Sequence, residues 1–178
     1  MKGDEYEYFF FVTNTELTSE KVVISYEKRG NAEIYIKKAK YVPPLVIKSD
    51  FVLVGLHIGT VYVEFGTLQL NGVLQGTLDV LPGTKVVING EQQGTVSISP
   101  GAVVIVNGKI NGTVSIESGG NLLIEETGKL AGTLSNEGLV FLRGVFGGAS
   151  SGNGQLRIEG NGFIKTPVTR NGIQYYEW

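Results

Sequence analysis

One dipeptide recurs through most of this chain at a nearly constant spacing. One series of Gly-Thr dipeptides begins at residues 59, 76, 94, 112 and 132, so successive members of this series lie 17, 18, 18 and 20 residues apart. Apolar and polar residues alternate after the first four copies, as in Val96-Ser97-Ile98, and a glycine turn follows each of these strands. A repeat of this length with a period of two inside it is typical of a parallel β-solenoid.

The repeat predicts the layout of each coil. About 18 residues accommodate three short strands, with glycines at corners that need positive φ. Stacked strands lie about 4.8 Å apart, so residues 49–178 predict about seven coils in a rod roughly 34 Å long. We expect a three-faced and right-handed solenoid, because left-handed ones usually keep a strict six-residue beat. The competing fold is an antiparallel sandwich, which the hairpin signals Asn89-Gly90 and Asn107-Gly108 favour.

A change of composition near Pro43-Pro44 divides the chain into two predicted domains. Only two of the 26 glycines lie in residues 1–48, for which we predict a strand (6–12) and then helix, ending with a stretch over 32–40. This segment is expected to cap the solenoid, which occupies residues 49–178.

The end of the chain departs from the repeat. Residues 147–154 are rich in Gly, Ser and Asn and predict a flexible loop, after which residues 155–159 predict a returning coil. The aromatic residues Tyr175, Tyr176 and Trp178 are expected to cover the open end of the solenoid or to mediate self-association.

The composition leaves little material for catalysis or metal binding. The chain has no Cys, one His and three Asp, so disulfides and thiolate sites are excluded, and we expect no enzyme activity, metal or cofactor. The alternation around His57 is compatible with an outward side chain. The net charge of −2 gives no global attraction to nucleic acid or membrane. The apolar run 8–12 is too short for a bilayer span, so we expect a cytoplasmic protein with no membrane partner.

Residues 5–41 carry a second, unrelated pattern. Tyr26, Arg29, Glu33 and Lys40 are separated by two, three and six residues, which resembles the signature around the third catalytic carboxylate of bacterial insertion-sequence DDE transposases. The resemblance implies that Glu33 corresponds to a metal-holding carboxylate, with the other three as its companions. The family's two upstream Asp residues have no equivalents here, so the segment is expected to be inactive. Arg29 and Glu33 alternatively form an ordinary i,i+4 pair on a helix.

The glycine-punctuated coils are similar to those of bactofilins, bacterial cytoskeletal polymers. That resemblance implies a noncatalytic scaffold that associates with itself, end to end or laterally. One alternative is a transposase-derived protein that contacts DNA, the other possible partner, through a basic stretch. Its candidate phosphate contacts are Lys28, Arg29, Lys37, Lys38 and Lys40. A further alternative is a module that binds a protein or a glycan.

Overall fold

A computed structural model describes residues 43–178, of which residues 44–178 form one compact unit. The strand and helices predicted before residue 43 lie outside the described residues. Nineteen β-strands and their turns make up the described part. No helix in that part is long and apolar enough to cross a membrane.

The strands are short, and most contain three or four residues. They are β1 (Leu45–Ile47), β2 (Phe51–Leu53), β3 (Leu56–Ile58), β4 (Val61–Val63), β5 (Thr67–Leu70), β6 (Val73–Val80), β7 (Lys85–Ile88), β8 (Glu91–Ile98), β9 (Val103–Val106), β10 (Lys109–Ile116), β11 (Asn121–Ile124), β12 (Lys129–Asn136), β13 (Leu139–Leu142), β14 (Val145–Gly147), β15 (Ser150–Ser151), β16 (Gln155–Ile158), β17 (Phe163–Ile164), β18 (Val168–Arg170) and β19 (Ile173–Tyr175).

The strands wind into about seven coils, which confirms the predicted parallel solenoid. A seven-stranded sheet takes one strand from each coil, in the order β16-β13-β11-β9-β7-β5-β2. Ten of the other twelve strands form a second sheet that supplies the remaining two sides of each coil. Every pairing in these two sheets is parallel, so the antiparallel sandwich is wrong. We number the coils 1 to 7 by their strands in the seven-stranded sheet, from β2 to β16, and each coil also includes the strands of the ten-stranded sheet that directly precede that strand. The right-handed sense stays a prediction.

The first coil starts close to the two prolines. Leu45 to Ile47 form β1 and pair in register with Val61 to Val63 of β4. The solenoid therefore includes residues that precede Ser49. Pro44 lies directly before β1, a position that proline tolerates because no ladder hydrogen bond is required of it there.

The Gly-Thr repeat marks one corner of each coil. Gly76, Gly94, Gly112 and Gly132 stack in register in the middle of the eight-residue strands, with φ between 130° and 150°. A Cβ added at Gly112 would overlap the carbonyl oxygen of Gly94 in the preceding coil. Only glycine therefore lets neighbouring coils approach to hydrogen-bonding distance at this corner.

Aliphatic side chains fill the inside of the solenoid. In the coils, alternate residues on either side of the glycine corner point inward, so that Leu78, Val96, Val114 and Leu134 form one continuous buried column. Full burial of each such side chain contributes about 1.5–3 kcal/mol. Because a one-residue slip would turn every inward side chain to solvent, these columns also fix the register of the coils.

The glycine-rich stretch after coil 6 is not the flexible loop that its composition predicts. Gly147 ends β14, and Ser150 and Ser151 pair with Leu134 and Ser135 of β12. Gly148 stacks on Gly132 and so repeats the glycine corner without its threonine. The composition was misleading because small residues are required where coils approach closely, as well as in flexible linkers.

The chain ends in a hairpin outside the coils. β18 and β19 pair antiparallel around Asn171 and Gly172, whose φ values of 52° and 77° suit a two-residue hairpin turn. The same dipeptide at Asn89-Gly90 and Asn107-Gly108 turns a solenoid corner instead. There the next strand pairs with the preceding coil rather than with its own neighbour in sequence.

The glycine corner gives a direct test of the stacking. Gly112→Ala is expected to destabilise the protein by about 3–5 kcal/mol, since it adds a clash with Gly94 to the strain of a positive φ. Gly83→Ala is the control, because its φ of 76° is also positive but open space surrounds the added Cβ. The control should cost only about 1–2 kcal/mol. Equal losses in chemical denaturation would contradict the close-approach explanation.

Candidate functional site

The residues of the transposase resemblance and of the DNA alternative all precede the described part of the chain. They therefore stay predictions. They are Tyr26, Lys28, Arg29, Glu33, Lys37, Lys38 and Lys40.

The three C-terminal aromatic residues differ in their surroundings. Trp178 packs against Gly147, where an added Cβ would meet the indole ring. The Lys165 Nζ lies 5.1 Å from the centroid of that ring, within the range of a cation–π contact, and also donates to the carbonyl of Glu177. Tyr175 is exposed on β19 and Tyr176 is partly buried. Their predicted roles in capping and self-association remain predictions.

The last strands of the solenoid leave interior positions exposed. Ile158 stacks on the buried Leu142, and Ile164 stacks on the buried Phe146, yet the two isoleucines are 53% and 44% exposed. Within the described residues, β16 and β17 each pair on one side only. Backbone hydrogen-bonding groups and apolar side chains are thus presented together at this end. We call the exposed surface of β15, β16 and β17 the open edge.

Sequence reasoning missed the isoleucines of the open edge. Residues 155–159 alternate as expected for a strand, but the short β17 follows two glycines and resembles a loop. The repeat spacing could have identified them. Ile158 lies 16 residues after Leu142 and Phe163 lies 18 residues after Val145, so both are about one coil beyond their in-register partners.

The outer surface of the solenoid differs from side to side. One side of the ten-stranded sheet carries threonine and serine in two columns, which we call the hydroxyl face. Its members in coils 4 to 6 are Thr95, Ser97, Thr113, Ser115, Thr133 and Ser135. The other side of the same sheet carries charged and amide side chains, including Glu91, Lys109, Lys129, Gln75 and Gln93.

The outer surface of the seven-stranded sheet is mainly aliphatic in coils 3 to 6, and we call it the apolar face. Consecutive apolar residues such as Val103-Val104-Ile105-Val106 supply the inside and the outside of the rod at once. Its outward apolar members in these coils are Val87, Val103, Ile105, Leu123, Leu139 and Phe141, all partly exposed.

One corner carries a ladder of polar side chains. The Asn89 side chain donates to Asn71 Oδ1 at 2.8 Å, and Asn107 donates to Asn89 Oδ1 at 2.7 Å. Further along the same corner, Arg143 lies between Glu125 and Glu159, with N–O distances of 3.1 and 3.0 Å. Hydrogen bonds from Arg143 to the two carboxylates raise its pKa further above its ordinary value. Each pair bridges successive coils, so the corner is held together by side chains as well as backbone.

A groove open to solvent follows the same corner. Stacked glycines form its floor because they have no side chains to fill it, and charged residues form one wall. Its lining includes Gly72, Gly90, Gly108, Glu91, Lys109 and Lys129. Among residues 43–178, no three His, Asp or Glu side chains lie close enough together to share a metal ion.

His57 lies in an inward-facing column, so an outward placement is wrong. It is the in-register partner of Leu74, which is fully buried and in turn pairs with Gln92. Within the described residues its strand β3 pairs only with β6, so the column ends at His57, and the side chain is half-buried. Desolvation lowers the pKa of His57 below its ordinary 6.5.

Gln92 is the one fully buried polar side chain in the described part of the chain. Its Nε2 donates to the carbonyls of Gly76 at 2.9 Å and Thr95 at 3.3 Å, and its Oε1 has no partner. Both carbonyls flank the glycine corner, so this amide supports the corner from inside. An unpaired buried oxygen costs about 1–3 kcal/mol of stability, and Gln92 bears this cost between two aliphatic neighbours in its column, Leu74 and Ile110.

The geometry thus offers an open edge and three chemically distinct faces. Searches of protein-family models, curated proteins and solved structures find no significant match to this chain. These surfaces are therefore the features from which a function can be inferred.

The lowered pKa of His57 predicts a pH dependence of stability. Below about pH 7.5 the unfolded chain binds more protons at this residue than the folded chain, so the free energy of unfolding falls as pH drops through 6.5. His57→Leu continues the aliphatic column and should flatten this part of the profile. Urea denaturation at about pH 5.5 and 7.5 measures the difference. An unchanged slope in the variant would refute the assignment.

The hydrogen bonds of Gln92 predict different stabilities for two substitutions of similar size. Gln92→Glu replaces the donating amide by an acceptor that faces two carbonyls, so we expect a loss of more than about 3 kcal/mol at neutral pH. Gln92→Met keeps the length without the unpaired oxygen and should stay within about 1 kcal/mol of the parent. Comparable stabilities for both variants would show that Nε2 does not support the corner.

Proposed function

We propose that this protein is a noncatalytic structural scaffold whose rods associate with one another through the open edge. The observation that supports this proposal is the exposure of Ile158 and Ile164 at positions that are buried in every coil from 3 to 6. A second copy that docks there continues both the apolar interior and the backbone ladder.

Two contributions favour this docking. Removing the two isoleucines from water contributes apolar burial, at about 25 cal/mol per Å². The free N–H and C=O groups of β16 and β17 gain partners from an incoming strand in the manner of β-augmentation. Because the rod lengthens by whole coils, the flat faces of a joined pair remain continuous.

The fold suits a scaffold for a further reason. Its interior is occupied by aliphatic columns, and its side chains bridge coil to coil along the rod, as in the Asn71–Asn89–Asn107 ladder. Such quasi-one-dimensional stacking gives a rigid element of defined length.

Replacing interior residues at the open edge with lysine tests the proposal. Ile164→Lys and Ile158→Lys should lower the weight-average mass in sedimentation at concentrations where the parent chain is oligomeric, because a charge would be buried in each open-edge contact. Ser115→Lys adds the same charge on the exposed hydroxyl face and should leave the oligomers intact.

Circular dichroism confirms that each variant keeps its β structure before masses are compared. A parent chain that is monomeric at all accessible concentrations would overturn the proposal. So would an equal loss of oligomers in Ser115→Lys, since the contact would then lie elsewhere.

A further inference from the structure

The apolar face is a second exposed apolar surface, distinct from the open edge. In coils 3 to 6 its outward positions are aliphatic or aromatic except at Lys85 and Asn121. The two other faces carry hydroxyl, amide and charged groups at the equivalent positions. An exposed aliphatic strip along one side of an otherwise polar rod is the usual mark of a contact surface.

We infer that a second copy of this chain packs its apolar face on this one, with the two rods antiparallel and all seven coils overlapping. A two-fold axis then passes through coil 4, so that Ile105 of one copy faces Ile105 of the other. Coil 3 faces coil 5, which places Val87 against Leu123. The apolar strip is self-complementary in this arrangement, as an isologous interface requires.

The charges on this face favour the antiparallel arrangement. Arg157 lies in coil 7, with its Cζ 5.8 Å from the centroid of the Phe141 ring. Its Nη2 donates a hydrogen bond to Gln155 Oε1. Asp50 lies in coil 1, where its Oδ1 accepts from the Thr67 amide at 2.8 Å. Antiparallel overlap brings Arg157 of each copy to the level of Asp50 of the other, whereas parallel overlap places arginine level with arginine.

Lys85 is consistent with the same arrangement. It lies in coil 3 and faces Asn121 of coil 5 in the antiparallel pair. In the parallel pair, Lys85 of one copy would lie level with Lys85 of the other, which places two positive charges at the same height. Its aliphatic stem can cover the neighbouring apolar strip while its ammonium group stays in solvent.

The dimensions of the face predict a weak dimer. Seven strands of about four residues cover roughly 30 by 13 Å, or about 400 Å² per copy. The two copies together bury about 800 Å² in projection, which places the contact with the smaller, reversible interfaces. The contact is independent of the open edge, so Ile164→Lys should not affect it.

Cross-linking tests the geometry, because the chain has no cysteine of its own. Facing sheets pack about 10 Å apart, so a short bis-maleimide is the suitable reagent. In the Ile164→Lys background, Ile105→Cys should give a cross-linked dimer, and Ser97→Cys, in coil 4 on the hydroxyl face, should be modified without cross-linking. Gln69→Cys and Phe141→Cys should cross-link when mixed and not when alone, because coil 2 faces coil 6.

An affinity measurement accompanies the cross-linking. Leu123→Lys should raise the dimer dissociation constant at least about tenfold, through a charge buried in the strip, and Ser115→Lys in the same coil should not. Equal cross-linking of Ile105→Cys and Ser97→Cys would overturn the proposal. Cross-linking of Gln69→Cys with itself would overturn the antiparallel arrangement. Loss of the Ile105→Cys product on adding Ile164→Lys would assign the contact to the open edge.

Discussion

The close approach of successive coils is the constraint on which the rest of this structure depends. Parallel strands lie about 4.8 Å apart, and every coil must meet its predecessor at that distance around its whole perimeter. At the corners the backbone turns toward the neighbouring coil, so a side chain there would overlap a carbonyl, as at Gly112 above Gly94. Glycine at these corners is thus a condition for the hydrogen-bonded ladders to continue.

The same constraint explains why like residues stack on like. An asparagine above an asparagine can donate its amide to the residue in the preceding coil, as Asn89 and Asn107 do. Where the column changes to Glu125, Arg143 and Glu159, opposite charges alternate along it. Extra length is accommodated at corners: in the 20-residue step to β12, the Thr127 hydroxyl donates to the Asn107 carbonyl at 2.7 Å while the flanking strands keep their register.

The sequence predicts the repeated part of the fold well, because spacing and alternation are direct consequences of the stacking. The Gly-Thr dipeptide indicates the position of the corner, and the alternation in Val96-Ser97-Ile98 indicates that the two apolar side chains point inward. The prediction was wrong where it used the composition of a segment and not the position of its residues in the repeat. The glycine content of residues 147–154 suggested a loop, although Gly148 occupies the glycine corner above Gly132. His57 was misplaced for a related reason, since in the short strand Leu56–Ile58 the apolar neighbours point outward and the alternation alone does not reveal it.

The candidate surfaces were less predictable than the coils. A terminal coil has the same pattern of apolar and polar residues as an internal one. Ile158 and Ile164 therefore differ from buried residues only because no further coil of the described chain follows them. The apolar face was more visible, since a run such as Val103 to Val106 cannot place all four side chains inside. In a solenoid, the inward residues are restricted by packing, but outward residues have no such requirement. Packing within a single rod does not require aliphatic residues on an outer face. Their repetition over four coils is therefore explained by contact with a partner, and this is the physical basis for assigning one to the apolar face.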